Sequence, residues 1–154
     1  MVESTTIFLD TFQKIDKAHR RYFQIKFAGY GFTPNEILVL LFLYNNAPEY
    51  DTATDIARSK GVSKGMIARS VDSLCEKNYL EAVRDKHDRR IIHLRLKDEH
   101  NQLAARIEGL QKEFVKELGK GISDEDINHT KNTLCQLLKN AELLLDRRIC
   151  NGSN

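Results

Sequence analysis

Apolar residues along the chain fall first into helical stripes. Phe8, Phe12, Ile15, His19 and Tyr22 recur at steps of four, three, four and three. They mark one face of an amphipathic helix over about residues 5–28. Gly29 and Gly31 end it. Thr33-Pro34-Asn35-Glu36 then reads as a helix start, with Thr33 as cap, Pro34 at the first position and Glu36 placed to close a capping box. The helix over about 34–46 holds Ile37, Leu38, Leu40, Leu41 and Leu43 and is apolar almost all round, so a buried central helix is predicted. A short helix from Thr52 to Lys60 follows, inward at Ala53, Ile56 and Ala57, with Gly61 where a left-handed terminal residue is wanted. Ser63 caps a second one over about 63–77, inward at Ile67, Val71 and Leu74, and Asn78 takes the left-handed end.

The period then changes from 3.6 to 2. Residues 79–84 and 91–96 are short strand candidates, with Ile92, Leu94 and Leu96 alternating against His93 and Arg95. The wholly polar Asp85-Lys86-His87-Asp88-Arg89-Arg90 between them predicts a β-hairpin with a charged tip. Two long helices close the chain. Asp98 is the expected cap of the first, over about 99–118, with Leu103, Ile107, Leu110, Phe114 and Leu118 on its stripe. Gly119 and Gly121 break it, and Ser123 followed by Asp124, Glu125 and Asp126 starts the last, whose stripe runs Ile127, Leu134, Leu138, Ala141, Leu145. Residues 151–154 read as a frayed tail. The expected fold is mainly α with a small β wing, in one domain over 1–150.

With 154 residues, 41% hydrophobic and 30% charged, the chain has the composition of a soluble globular domain. The longest apolar run, Ile37–Tyr44, is too short to span a membrane. Glu3 and Asp10 near the start, without a basic region, predict no signal peptide. Cys75, Cys135 and Cys150 are odd in number and irregularly spaced, which excludes a disulfide framework and predicts a cytoplasmic protein. The net charge of +2 hides an asymmetry: residues 52–97 carry eleven Lys and Arg against six Asp and Glu, and both flanks are slightly acidic. The cations gather where the helix-turn-helix and hairpin lie, which suits a polyanion.

A helix-turn-helix lays the start of its second helix nearest the base edges of the major groove. Ser63, Lys64, Gly65 and Met66 occupy that start, and Arg69 lies one turn on, facing outward. Arg suits bidentate contacts with guanine, and Lys and Ser suit phosphate or base contacts. Lys86, Arg89 and Arg90 are long cations on a thin projection, a shape that fits a narrow minor groove. Double-stranded DNA is the partner these residues predict.

In element order over nearly the whole chain, and most sharply from about 52 to 97, the sequence resembles the MarR family of bacterial and archaeal transcriptional regulators. The resemblance rests on Asp55-Ile56-Ala57, Gly61-Val62-Ser63-Lys64, Arg69, Val71-Asp72, Leu74 and the wing Asp85-x-x-Asp88-Arg89-Arg90. It implies a winged helix-turn-helix over about 34–97 between dimerisation helices at about 5–28 and 99–148. It implies that Asp88 orients the wing and Arg90 enters the minor groove. It implies a homodimer on a pseudo-palindromic operator, acting as a repressor and released by a small aromatic or anionic effector. Phe12, Tyr22, Phe23, Phe27 and Tyr44 are the expected lining of the effector cavity, with Arg20 or Arg21 pairing the anion. Gly65, Met66, Ser70, Ser73, Asn78 and Lys97 depart from the residues common in the family.

Other chemistries find less support. No Gly-rich phosphate loop, nucleophile elbow or zinc-protease motif appears, so no enzyme and no cofactor are predicted. His19, His87, His93, His100 and His129 form no ligand set, so no metal is predicted. A thiol- or metal-responsive sensor of the same fold and a winged helix that binds protein are the alternatives. For the first, Cys75 with Lys77 nearby is the candidate thiol.

Overall fold

A computed structural model describes the backbone of residues 2–151 and the side chains of residues 7–144. It divides into two compact units, one up to Phe114 and one from Val115 onward.

In the first unit α1 (Val2–Lys26) leads through a 3₁₀ turn, Ala28–Tyr30, into α2 (Pro34–Asn46). The expected capping box forms: Thr33 Oγ1 accepts the Glu36 N–H at 3.2 Å, and Glu36 Oε2 accepts the Thr33 N–H at 2.6 Å. Five apolar side chains of α2, Ile37, Val39, Leu40, Phe42 and Leu43, are buried, so this helix forms the centre of the core. Each such burial is worth about 1.5–3 kcal/mol. A second capping box, Thr52 with Asp55, starts α3 (Ala53–Lys60). Gly61, at φ 63°, turns the chain, and Ser63 Oγ accepts the Met66 N–H to start α4 (Lys64–Glu76). Asn78, at φ 68°, ends it as expected.

The wing is an antiparallel pair, β1 (Leu80–Arg84) and β2 (Ile92–Leu96), in the register Leu80↔Leu96, Ala82↔Leu94, Arg84↔Ile92. Leu80 and Leu94 are buried in the core. Ile92, expected to face inward with Leu94, is instead 43% exposed. It pairs with Arg84 at the outer end of the ladder, where the hairpin has run past the core. Asp98 is likewise not a helix cap. It begins a 3₁₀ turn, Asp98–His100, ahead of α5 (Asn101–Leu118), and accepts a bond from the Asn101 side-chain amide rather than from a helix N–H. Ala104 and Ile107 of α5 join the core.

In the second unit Gly121, at φ 81°, makes the turn into α6 (Asp124–Asn151). Ser123 and Asp126 cap it reciprocally, the Ser123 oxygen accepting the Asp126 N–H at 3.1 Å. Leu134, Leu137, Leu138, Leu143 and Leu144 along α6 are exposed. The side chain of Leu145 and tail residues 152–154 lie outside the described residues, and Asn151 is still helical.

Candidate nucleic-acid interface

The start of α4 is open to solvent. Ser63, Lys64, Gly65 and Met66 are all exposed, as is Arg69, while Ile67, Val71 and Leu74 are buried on the opposite face. A Cβ built at Gly65 would meet nothing within 4 Å, so the glycine is not required by packing. Ser70 is buried, its hydroxyl donating to the Met66 carbonyl. That explains the lack of an apolar residue there.

A polar network at the edge of the core ties α4 to α2. Glu36 is 1% exposed. Its Oε1 accepts the Ser73 hydroxyl at 2.7 Å and the Lys77 ammonium at 2.7 Å, and Lys77 also donates to the Gly31 carbonyl at 3.1 Å. Burial pushes the Glu36 carboxyl up, but the bonds from Lys77, the Thr33 N–H and Ser73 outweigh it and hold the group below its ordinary value. One carboxylate thus caps α2 and ties it to the last turn of α4.

The wing tip is ordered by its own carboxylates. Asp85 Oδ1 accepts the N–H groups of His87 and Asp88, each at 2.7 Å. Asp88 then grips Arg90: Oδ1 accepts the Arg90 N–H at 3.0 Å and Nε at 3.1 Å, and Oδ2 accepts Nη2 at 3.1 Å. Arg90 holds the Asp88 carboxyl below the usual carboxylate range. The side chain of Arg90 is nonetheless 91% exposed. Only one edge of the guanidinium is used; Nη1 and one N–H of Nη2 point away from Asp88, free for another acceptor. Lys86 and Arg89 are exposed beside it.

His93, Asp51 and Asp85 form a group that sequence reasoning missed. His93 Nδ1 lies 2.7 Å from Asp51 Oδ1 and Nε2 lies 3.3 Å from Asp85 Oδ2. The signal was too nonlocal to read, because Asp51 and His93 are 42 positions apart.

The expected effector residues do not gather in one place. A cavity of about 420 Å³ lies among α1, α2, Val62 and α5, and of the seven residues named only Arg20 and Phe23 line it. Its other polar lining residues are Asp16, which pairs with Arg20 at 2.8 Å, His19, Asn45, Asn46, Lys60 and Gln111, with His19 Nε2 2.7 Å from Gln111 Oε1. Phe27 is 1% exposed and serves the core. Phe12 meets Phe8 edge-on, Arg21 is exposed, and Tyr22 packs on Phe114. Tyr44 lines a different, wider cleft under the wing. Stripe position decided these outcomes: Phe23 and Phe27 are one turn apart but only Phe23 reaches the gap.

The thiol expectation also changes. Lys77 is committed to Glu36, and burial together with the Asp72 charge pushes the Cys75 thiol up. A thiol held protonated is a poor redox sensor. Cys75 should therefore react with a thiol reagent far more slowly than the exposed Cys135, by about tenfold or more; equal labelling rates on peptide mapping would contradict this. Among the described residues no group of three His, Cys, Asp or Glu side chains is placed to hold a metal ion, and no helix is long and apolar enough to cross a membrane.

The sequence signature of the MarR family matches residues 30–91, the stretch from the start of α2 to the wing tip. Over that stretch the chain matches the MarR family, and it folds there as a winged helix. Solved MarR-type structures share the fold well beyond that stretch. The MepR–DNA complex of S. aureus is 19% identical, with a TM-score of 0.78, over 86% of this chain and 97% of that one. A MarR transcriptional regulator of Methanosarcina mazei Go1 is 19% identical at a TM-score of 0.79, over 90% and 99%. BpsR of Bordetella bronchiseptica, whose DNA binding is regulated by 6-hydroxynicotinic acid, is 14% identical at 0.70, over 83% and 96%. No curated protein sequence matches the chain.

Proposed function

We propose that this protein is a MarR-type, cytoplasmic, sequence-specific DNA-binding transcriptional regulator that acts as a homodimer, represses from a pseudo-palindromic operator and is released by a small aromatic or anionic effector. One observation carries the DNA reading. An open, cationic helix start (Ser63, Lys64, Gly65, Met66, with Arg69) and a wing that presents Arg90 on Asp88 occur in one chain, on one rigid core. The helix start suits the major groove and the wing arginine suits the minor groove. The MepR–DNA complex, which shares the fold, favours the same reading.

The dimer is supported by apolar faces exposed among the described residues. Ile7, Phe8, Leu9, Phe12 and Ile15 are exposed on α1, and five leucines are exposed on α6. A second copy would bury both faces and set two recognition helices on one duplex. Sedimentation at micromolar concentration should give a dimer; a stable monomer overturns this part. The cavity of about 420 Å³, with His19, Phe23 and Phe42 beside Lys60 and the Asp16–Arg20 ion pair, suits a small aromatic ligand, whose anionic group would meet Lys60 or share Arg20 with Asp16.

Selection of bound fragments from a random duplex pool tests the whole reading, since it reports binding, palindromy and half-site spacing together. The selected duplex then tests base reading. Arg69→Ala should weaken it by about 1–3 kcal/mol and relax one position per half-site if the guanidinium meets a base edge. Gly65→Leu should abolish specific binding without lowering the thermal midpoint, because the position is open and leucine is the better helix former. Wild-type affinity and preference in both variants would remove α4 from the interface.

A further inference from the structure

Besides the buried Leu80 and Leu94, an imidazole links the wing tip to the body of the protein. Asp51, which precedes the Thr52 cap of α3, is 8% exposed and holds β2 twice: its carbonyl oxygen accepts the Leu94 N–H at 2.8 Å, and its carboxylate meets His93 Nδ1. The other ring nitrogen meets Asp85, whose second oxygen organises the tip through the N–H groups of His87 and Asp88. A continuous chain of polar contacts therefore runs from the loop ahead of α3, through His93 and Asp85, to the Asp88–Arg90 pair.

We propose that His93 is a positioning residue for DNA binding: as an imidazolium it fastens the wing tip between Asp51 and Asp85, and on losing its proton it releases the tip, so the wing's grip on DNA is set by pH. The inference rests on the DNA reading above and deepens it. A neutral imidazole has one N–H and one lone pair. With a carboxylate oxygen facing each nitrogen, the neutral ring must turn its lone pair on one of them. The imidazolium donates to both.

Other charged and titratable groups share the cleft beneath the wing. Arg84, Lys86 and His87 stand on the β1 side and Arg95 on β2, Tyr44 comes from the end of α2, and α5 contributes only the uncharged Asn101. Desolvation opposes protonation of His93, but the two carboxylates are in direct contact with the ring. The bond to Asp51 first, and that to Asp85 second, raise the His93 pKa above its ordinary value. A group raised on folding stabilises the clamped state fully below its unfolded value of about 6.5 and loses that contribution as pH rises through the folded value. The clamp is therefore closed in acid and opens toward alkaline pH.

The test measures affinity of the full chain for the selected duplex and for a scrambled duplex, from about pH 5.5 to about pH 9 at fixed ionic strength. Wild type should lose about tenfold in specific affinity across a midpoint above the ordinary histidine value. His87→Gln, which removes the other wing histidine, should keep that midpoint. Asp51→Asn should move it to lower pH, and His93→Gln should flatten the profile. In the DNA-free protein the amide resonances of His87 and Asp88 should titrate with the His93 ring. A flat wild-type profile, an unchanged profile in His93→Gln, or a midpoint that disappears in His87→Gln overturns the inference while leaving the DNA reading intact. Failure of any duplex to bind at any pH ends both. Should His93→Gln not fold, the Asp51→Asn midpoint decides, since a purely structural bond would leave it unmoved.

Discussion

Lys77→Met is expected to destabilise the protein by about 1–3 kcal/mol at neutral pH, less than for a fully buried pair because the Lys77 side chain is 36% exposed, and to reverse the acid end of its stability profile. In the wild type Glu36 is buried yet held below its ordinary pKa by Lys77, the Thr33 N–H and Ser73. Its contribution is therefore present above the unfolded carboxyl value and fades as pH falls through the folded one. Without Lys77 burial becomes dominant and raises the Glu36 pKa. The sign then inverts: the stabilising contribution is complete below the unfolded value and is lost as pH rises through the folded one. Between about pH 4 and about pH 6, below the range in which His93 gives up its proton, denaturant midpoints should rise with pH for wild type and fall for Lys77→Met. Adding Glu36→Gln to Lys77→Met should recover much of the loss, because an uncompensated buried charge is worse than none. Parallel profiles for the two proteins would mean that Lys77 does not hold the carboxylate.

The helices were legible because their signals are local. A capping box needs only the residue types at Thr33 and Glu36 or at Thr52 and Asp55, and a left-handed helix end needs only Gly61 or Asn78 in place. The strands were legible as a pair but not in depth. Alternation put Ile92 and Leu94 on one face, and nothing in the sequence says where the core ends beneath the hairpin. Asp98 satisfied the cap rule as well as Ser123 did, but a 3₁₀ turn took its place. Propensity sets which residues suit a cap, and the path of the incoming strand decides which one receives the helix N–H.

The exposure of the residues proposed to face DNA was readable for the same reason, since side chains at a helix start or a hairpin tip depend on little else for their exposure. The groups that hold those elements in place were not. Glu36 was read as half of a capping box, and its second task toward Ser73 and Lys77 spans 37 and 41 positions. Ser73 looked like a departure from the family's usual residue and turns out to be the hydroxyl that fits this carboxylate. His93 looked like an ordinary outward strand residue until the fold brought Asp51 to it. Aromatic spacing misled on the cavity because α1 buries Phe23 and Phe27 alike, and only the neighbouring helices decide which one borders a gap.

Arg90→Ala is expected to weaken binding to the selected operator by about 2–4 kcal/mol in a dimer with two wings, or about 30-fold to about 1000-fold, since each lost charge-assisted contact is worth roughly 1.5–3 kcal/mol before compensation. The loss should be greatest in A·T-rich flanks, where the minor groove is narrow and its potential most negative. Asp88→Ala decides between two accounts of the same pair. It removes a negative charge from a DNA-facing tip, so electrostatics alone predicts tighter binding and a steeper salt dependence. The geometry predicts the reverse. Asp88 occupies the Nε–Nη2 edge of Arg90 and accepts the Arg90 N–H, so it fixes both the side chain and the backbone that carries it. Removing it frees a long side chain that is already 91% exposed, and binding must then order that side chain again. Specific affinity should fall while affinity for scrambled duplex stays level or rises, because phosphate attraction gains what orientation loses. The ratio of the two affinities, measured at one salt concentration, reads the orienting role directly. A ratio unchanged from wild type, with both affinities increased, would reduce Asp88 to a bystander charge.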